Sequence, residues 1–209
     1  MAFDFKKEYK EFYMPKNKPQ IVNVPKANYI AVRGKGNPNE EGGAYQQAIS
    51  VLYAVAYTVK MSYKTDYKIE GFFEYVVPPL EGFWWQDDVD GVDYSDKSTF
   101  NWISVIRLPD FVSKTDFEWA VATATKKKKL DCSSAEFLTI EEGLCVQIMH
   151  AGPFDDEPAI VAIVAFSWDR QYEQVQDIKE QYKKMDNVPS MLVDYEGSLN
   201  AYKVANSPW

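Results

Sequence analysis

The stretch Val76–Trp85, VVPPLEGFWW, decides the reading of this chain. Val76 and Val77 end one extended run, Pro78 and Pro79 stiffen a bend, and Leu80–Trp85 supplies a second short strand. Side chains alternate along a strand, so Glu81, Phe83 and Trp85 fall on one face and Leu80 and Trp84 on the other. A carboxylate beside two large rings suits a pocket for a flat, apolar, often cationic molecule. The same pattern also fits core rings with Glu81 turned to solvent, and alternation alone weighs the two evenly.

Composition narrows the choice. At 209 residues the chain fits one larger domain or two small modules sharing a core. Its aromatic fraction of 15% is high, and such rings must be buried, stacked or used for binding. No apolar run approaches the ~20 residues of a membrane span. The N-terminus, MAFDFKKEYKEF, is charged and has no signal-like apolar stretch, so a cytoplasmic protein without membrane contact is expected. The net charge of −8 argues against a nucleic-acid surface and favours neutral or cationic small molecules. The basic run Lys126–Lys129 is explained as the end of a helix, where positive charge offsets exposed carbonyls. Cys132 and Cys145 lack metal-ligand spacing and are expected as free thiols, and the single histidine, His150, cannot build a metal cluster. No metal or cofactor is expected.

Along the chain, residues 1–25 read as an irregular arm that packs some of Phe3, Phe5, Phe12 and Tyr13 onto the body. Tyr29–Arg33 is a short strand, followed by GKGNPNEEGG. In a dinucleotide fingerprint only Gly34 and Gly36 match, with Asn39 where the third glycine is needed, which rejects a Rossmann site. Ala44–Met61 is a helix whose buried face carries Ala48, Val51, Leu52, Val55, Ala56 and Val59. A second stripe, Tyr45, Ile49, Tyr53 and Tyr57, fits plain packing, with Tyr53 and Tyr57 kept as outside candidates for a ligand wall. Lys68–Val77 alternates like a strand. The aspartate-rich QDDVDGVDYSDKS fails as a calcium loop, opening on Gln86 and closing on Lys97, and reads as an acidic hairpin loop.

Phe100–Arg107 is a strand with Trp102, Ser104 and Ile106 on one face. Ser113 or Thr115 caps a helix with Phe117, Val121 and Ala124 inward. Gly143–His150 is another strand, leading to an apolar helix from Pro158 and a more polar one over Tyr172–Met185. Met191–Tyr195 and Ala201–Val204 close the chain as strands. A strand, glycine turn, long helix and strands thus occur twice. This predicts an α+β fold of antiparallel sheets with two long helices, pseudo-twofold symmetry and a cleft between the halves.

Taken in order, GKGNPN, LYAVAYTVK, PLEGFWW, the Trp102–Phe111 segment WISVIRLPDF and EEGLCVQIMHAGPFDDEP resemble the GyrI-like small-molecule-binding proteins, in their free-standing form. The resemblance covers roughly residues 25–168. It implies tandem βαββ halves around a central groove for bulky aromatic drugs and cations. The domain would span 26–209 after an arm at 1–25, with half one at about 26–112, a linking helix at about 113–130 and half two at about 131–209. Some free-standing relatives are hydrolases that open the cyclopropane of DNA-alkylating natural products within an aromatic cage.

Residue by residue, Glu81, Trp84 and Trp85 match the LEG-aromatic-WW motif, and His150, Gly152, Pro153 and Phe154 match HxGPF/Y. Where relatives carry a His-Glu strand near the C-terminus, this chain has PSMLVD, which sets Met191 at the pocket glutamate position. A methionine lines a pocket but cannot act as a base. The weight passes to Glu81, with Asp194 and Glu196 next. The expected site is Glu81 as candidate base, lined by Phe83, Trp84, Trp85, Trp102, Phe154, Met191, Tyr195 and Tyr57. His150, ending a strand, reads as structural, and no nucleophile elbow is present. Three functions stay open: binding of xenobiotics with hydrolysis as an extension, pure sequestration, and inhibition of a protein partner such as a topoisomerase.

Overall fold

The computed structural model describes residues 2–18, 20–87, 93, 95–149 and 202–203. The N-terminal arm is more ordered than its mixed composition suggests. It forms β1 (Phe3–Asp4), two single-turn helices α1 (Phe5–Glu8) and α2 (Lys10–Tyr13), and β2 (Gln20–Val24). Asp4 caps α1 by accepting the Lys6 amide at 3.1 Å. The ring packing expected of the arm does occur: Phe5 and Tyr13 are buried with Tyr75, and Phe3, Tyr9 and Phe12 pack around them.

Next come β3 (Ala27–Lys35) and α3 (Ala44–Lys60), then β4 (Tyr75–Val76), β5 (Leu80–Trp85) and β6 (Asn101–Arg107). The six residues assigned to the inner face of α3 are all buried. The expected strand over Lys68–Val77 is corrected to Tyr75–Val76, which pairs in parallel with β1. Ahead of it the chain turns at Gly71, whose φ of 71° lies in the left-handed region that glycine tolerates. Alternation alone could not reveal that break.

After β6 come α4 (Lys114–Lys128), β7 (Glu136–Ile140), β8 (Gly143–Gln147) and β9 (Tyr202–Lys203). α4 opens with a capping box in which Ser113 Oγ accepts the Asp116 amide and the Asp116 carboxylate accepts the Ser113 amide. It is more than a linker, since Phe117, Ala120 and Ala124 are buried in the same core as the inner face of α3. β7 was not foreseen. The helices expected from Pro158 and over Tyr172–Met185, and the strand Met191–Tyr195, lie outside the described residues.

The main sheet has the order β7-β3-β6-β5-β9, with every neighbouring pair antiparallel. Within it β3–α3–β5–β6 makes one βαββ unit, with β6 inserted between β3 and β5. The fold is α+β, as expected. A second ladder, β2 with β8, continues the β3–β7 pairing in one register: Gln20 faces Gln147, Val24 faces Gly143, Ala27 faces Ile140 and Ala31 faces Glu136. The ladder is interrupted only where Pro25, which has no amide hydrogen to give, and Lys26 lie across from Glu141 and Glu142. The acidic stretch after Trp85 is the β5–β6 hairpin loop, as expected. Gln86 anchors it: the side-chain amide donates to Asp93 O at 3.0 Å and to Thr99 Oγ1 at 2.6 Å, and its oxygen accepts the Asp93 amide at 2.7 Å.

Candidate functional site

The two faces of the sheet are built from different chemistry. On the helix-covered face Trp84 and Trp102 stand opposite one another in register, 5% and 1% exposed. The ring of Tyr45, from the first turn of α3, lies 4.9 Å from the Trp84 ring and 5.2 Å from that of Trp102. Small residues make the room. A Cβ at Gly34 would fall 2.2 Å from the Trp102 indole, and one at Gly82 would fall 2.7 Å from Trp84 Nε1. Gly34 therefore serves close packing of an indole rather than a phosphate. Burial pushes the Tyr45 hydroxyl above its ordinary pKa, and the Ser104 hydroxyl beside it offsets part of that rise.

On the other face alternation brings Glu81, Phe83 and Trp85 together, as expected. Glu81 is 2% exposed and stands opposite Val105. Phe83 and Trp85 are half-buried against a floor of Ala27, Tyr29, Ala31, Ile103 and Val105, with Leu138 and Ile140 at its β7 side. One end of this face has a polar rim, with Arg33 and Glu136 paired at 3.1 Å and Asp87 accepting from Asn101 at 2.9 Å. At the other end β6 continues to Arg107, which stands opposite Tyr29. The arm covers this arginine, with the Phe5 and Tyr9 rings 5.2 and 4.9 Å from the guanidinium carbon. Tyr29 and Arg107 were missed in the sequence, although the alternation Ile103, Val105, Arg107 carries the second of them.

The GyrI-like small molecule binding domain family matches residues 17–182. The chain belongs to this family. Among solved structures, the GyrI-like chain is similar to a hydrolase from Listeria innocua at 44% identity, with 82% of each chain covered and a TM-score of 0.76. A second structure described as a hydrolase from Listeria innocua matches at 43% identity over 81% of each chain, with a TM-score of 0.73. An uncharacterized conserved protein from Listeria innocua matches at 44% identity over 81% of this chain and 82% of its own, with a TM-score of 0.75. No curated protein matches the chain.

Of the remaining expected residues of this GyrI-like domain, Tyr57 alone is among the described ones, and it stands apart from the Glu81 face. Tyr57 is 49% exposed on α3, beside Tyr53 and the Lys60 ammonium. His150, Phe154, Met191, Tyr195, Asp194 and Glu196 lie outside the described residues. Among the described residues no group of three or more His, Cys, Asp or Glu side chains could hold a metal, and no helix is long and apolar enough to cross a membrane. Neither Cys132 nor Cys145 is joined in a disulfide, and burial pushes the Cys132 thiol up. Two surface depressions, of about 190 and 240 Å³, lie away from Glu81, the first against Tyr63, Phe72 and Tyr75 and the second against Phe12 and Val22.

Proposed function

We propose that the sheet face carrying Glu81, Phe83 and Trp85 is the wall of a site for bulky aromatic, neutral or cationic xenobiotics, in a cytoplasmic protein that uses no metal or cofactor. One observation carries this reading: a fully buried carboxylate above an apolar and aromatic floor, on the sheet face opposite the one on which the helices pack. Such a face gives flat rings apolar contact and gives a cation or a water molecule one acceptor. Trp84 and Trp102 support this wall from behind, with Phe154, Met191 and Tyr195 kept as further candidate ligand contacts.

Glu81 is the candidate base for hydrolysis of a strained, cyclopropane-bearing alkylating ligand. Water would add to the ring carbon, and the breaking carbon–carbon bond would pass its electron pair to the conjugated carbonyl. Glu81 would take the water proton and return it to the resulting phenolate, for a net gain of one water. The two similar Listeria innocua structures described as hydrolases favour this extension over plain sequestration.

Mass spectrometry of such a ligand with wild type, Glu81→Gln and a no-protein control tests it. A gain of one water that is fast with wild type and slow with the variant is the expected result. Ligand recovered intact from a stable complex would make the protein a sequestering one. An unchanged rate in Glu81→Gln would remove Glu81 from the chemistry.

A further inference from the structure

Arg107 is buried on the Glu81 face with very little to hold its charge. Its residue is 7% exposed, and its Nε is buried with no hydrogen-bond partner among the described residues. Asp110 is its one ion-pair partner there, at 4.0 Å from Nη2 and with a side chain 84% exposed. The ring faces of Phe5 and Tyr9 attract the cation but accept no in-plane N–H bond. A buried guanidinium in this state costs stability unless an oxygen acceptor arrives to meet its donors.

The register says what could arrive. Glu81 stands opposite Val105, and Arg107 lies two residues further along β6, so the two opposite charges are diagonal neighbours on one face. Their backbones are then roughly 7–8 Å apart, about the span of two or three fused rings. We propose that Arg107 is a specificity-determining residue of this site, selecting aromatic ligands that carry an electron-rich oxygen, above all a conjugated carbonyl, at the end away from Glu81. This rests on the reading of the Glu81 face as the ligand wall. It names the residue that meets the ligand's oxygen, and it gives the arm a role as the cover that keeps water from Arg107.

Equilibrium dialysis against 9-fluorenone and fluorene tests the inference, because the two differ only by a carbonyl in place of a methylene. Wild type is expected to hold fluorenone about tenfold more tightly, the scale of one hydrogen bond to a charged donor. Arg107→Met should bring fluorenone down to the level of fluorene while leaving fluorene within about twofold, and Arg107→Lys should keep part of the preference. Equal affinity of wild type for both compounds overturns the inference and leaves the ligand wall standing, whether or not the variants fold. An equal loss of both compounds in Arg107→Met also overturns it, by making the residue structural. Failure of wild type to bind either compound removes the ligand wall, and this inference with it.

Discussion

The two faces of one sheet spend their aromatic residues differently. Behind the sheet Trp84 and Trp102 fill space left by Gly82 and Gly34, and the Tyr45 ring packs against both indoles. In front, Phe83 and Trp85 stay half-buried around the fully buried Glu81. Adjacent residues in LEGFWW therefore meet different surroundings, with Trp84 locked in the core and Trp85 left half-buried. The pleat does this sorting, because each step along a strand changes face.

This contrast breaks most visibly at Trp102. Trp102→Ala should cost about 3–5 kcal/mol of folding stability, since it empties a fully buried site into which Gly34 admits the indole. Phe83→Ala should cost only about 1–2 kcal/mol but weaken aromatic ligand binding about tenfold. Urea unfolding and ligand titration on both variants would measure the pair. Similar stability losses for the two would collapse the distinction between the faces.

Gly34→Ala comes next. The added methyl meets the flat of a buried indole rather than the end of a flexible chain, so a loss of about 1–3 kcal/mol is expected in the same urea experiment.

The smallest effect concerns the helix layer alone. Burial raises the Asp116 pKa, but hydrogen bonds from Ser113 and Tyr67 outweigh it and hold the carboxyl below its ordinary value. A folded-state pKa below the unfolded one gives stability that is present above about pH 4 and is lost as pH falls through the folded value. Asp116→Asn should therefore lower the urea midpoint at neutral pH and narrow the further drop on acidification. A variant as acid-sensitive as wild type would deny Asp116 that part.

Much of the fold was legible because long periodic segments declare themselves. α3 and its buried face and the β5–β6 hairpin follow from spacing and end signals, and the sequence narrows the cap of α4 to Ser113 or Thr115, of which the structure uses Ser113. β7 was hidden because EFLTI is five residues long and gains its meaning from pairing with β3, far away in the chain. Lys68–Phe73 misled because it alternates, while Gly71 bends the backbone out of any strand. The arm misled in the opposite sense, since its order comes from contacts with Tyr75 and β8 rather than from its own pattern.

For the site, alternation placed Glu81, Phe83 and Trp85 together without help. Trp84 and Trp102, also expected in the lining, stand opposite one another on the other face, because the strand register that pairs them is not written in either segment alone. Arg107 was passed over because a charged residue ending an apolar strand reads as exposed. Only the rings of the arm reveal that it is not.

The ladder that joins residues 20–31 to 136–147 sets an order of events during synthesis. More than a hundred residues separate its two sides, so the outer edge of β3 has no partner until β7 has left the ribosome. Through that interval the nascent chain carries an open, apolar strand edge of the kind that recruits other chains. Yield in a cell should then depend on how fast translation covers that stretch as much as on the stability of the finished protein.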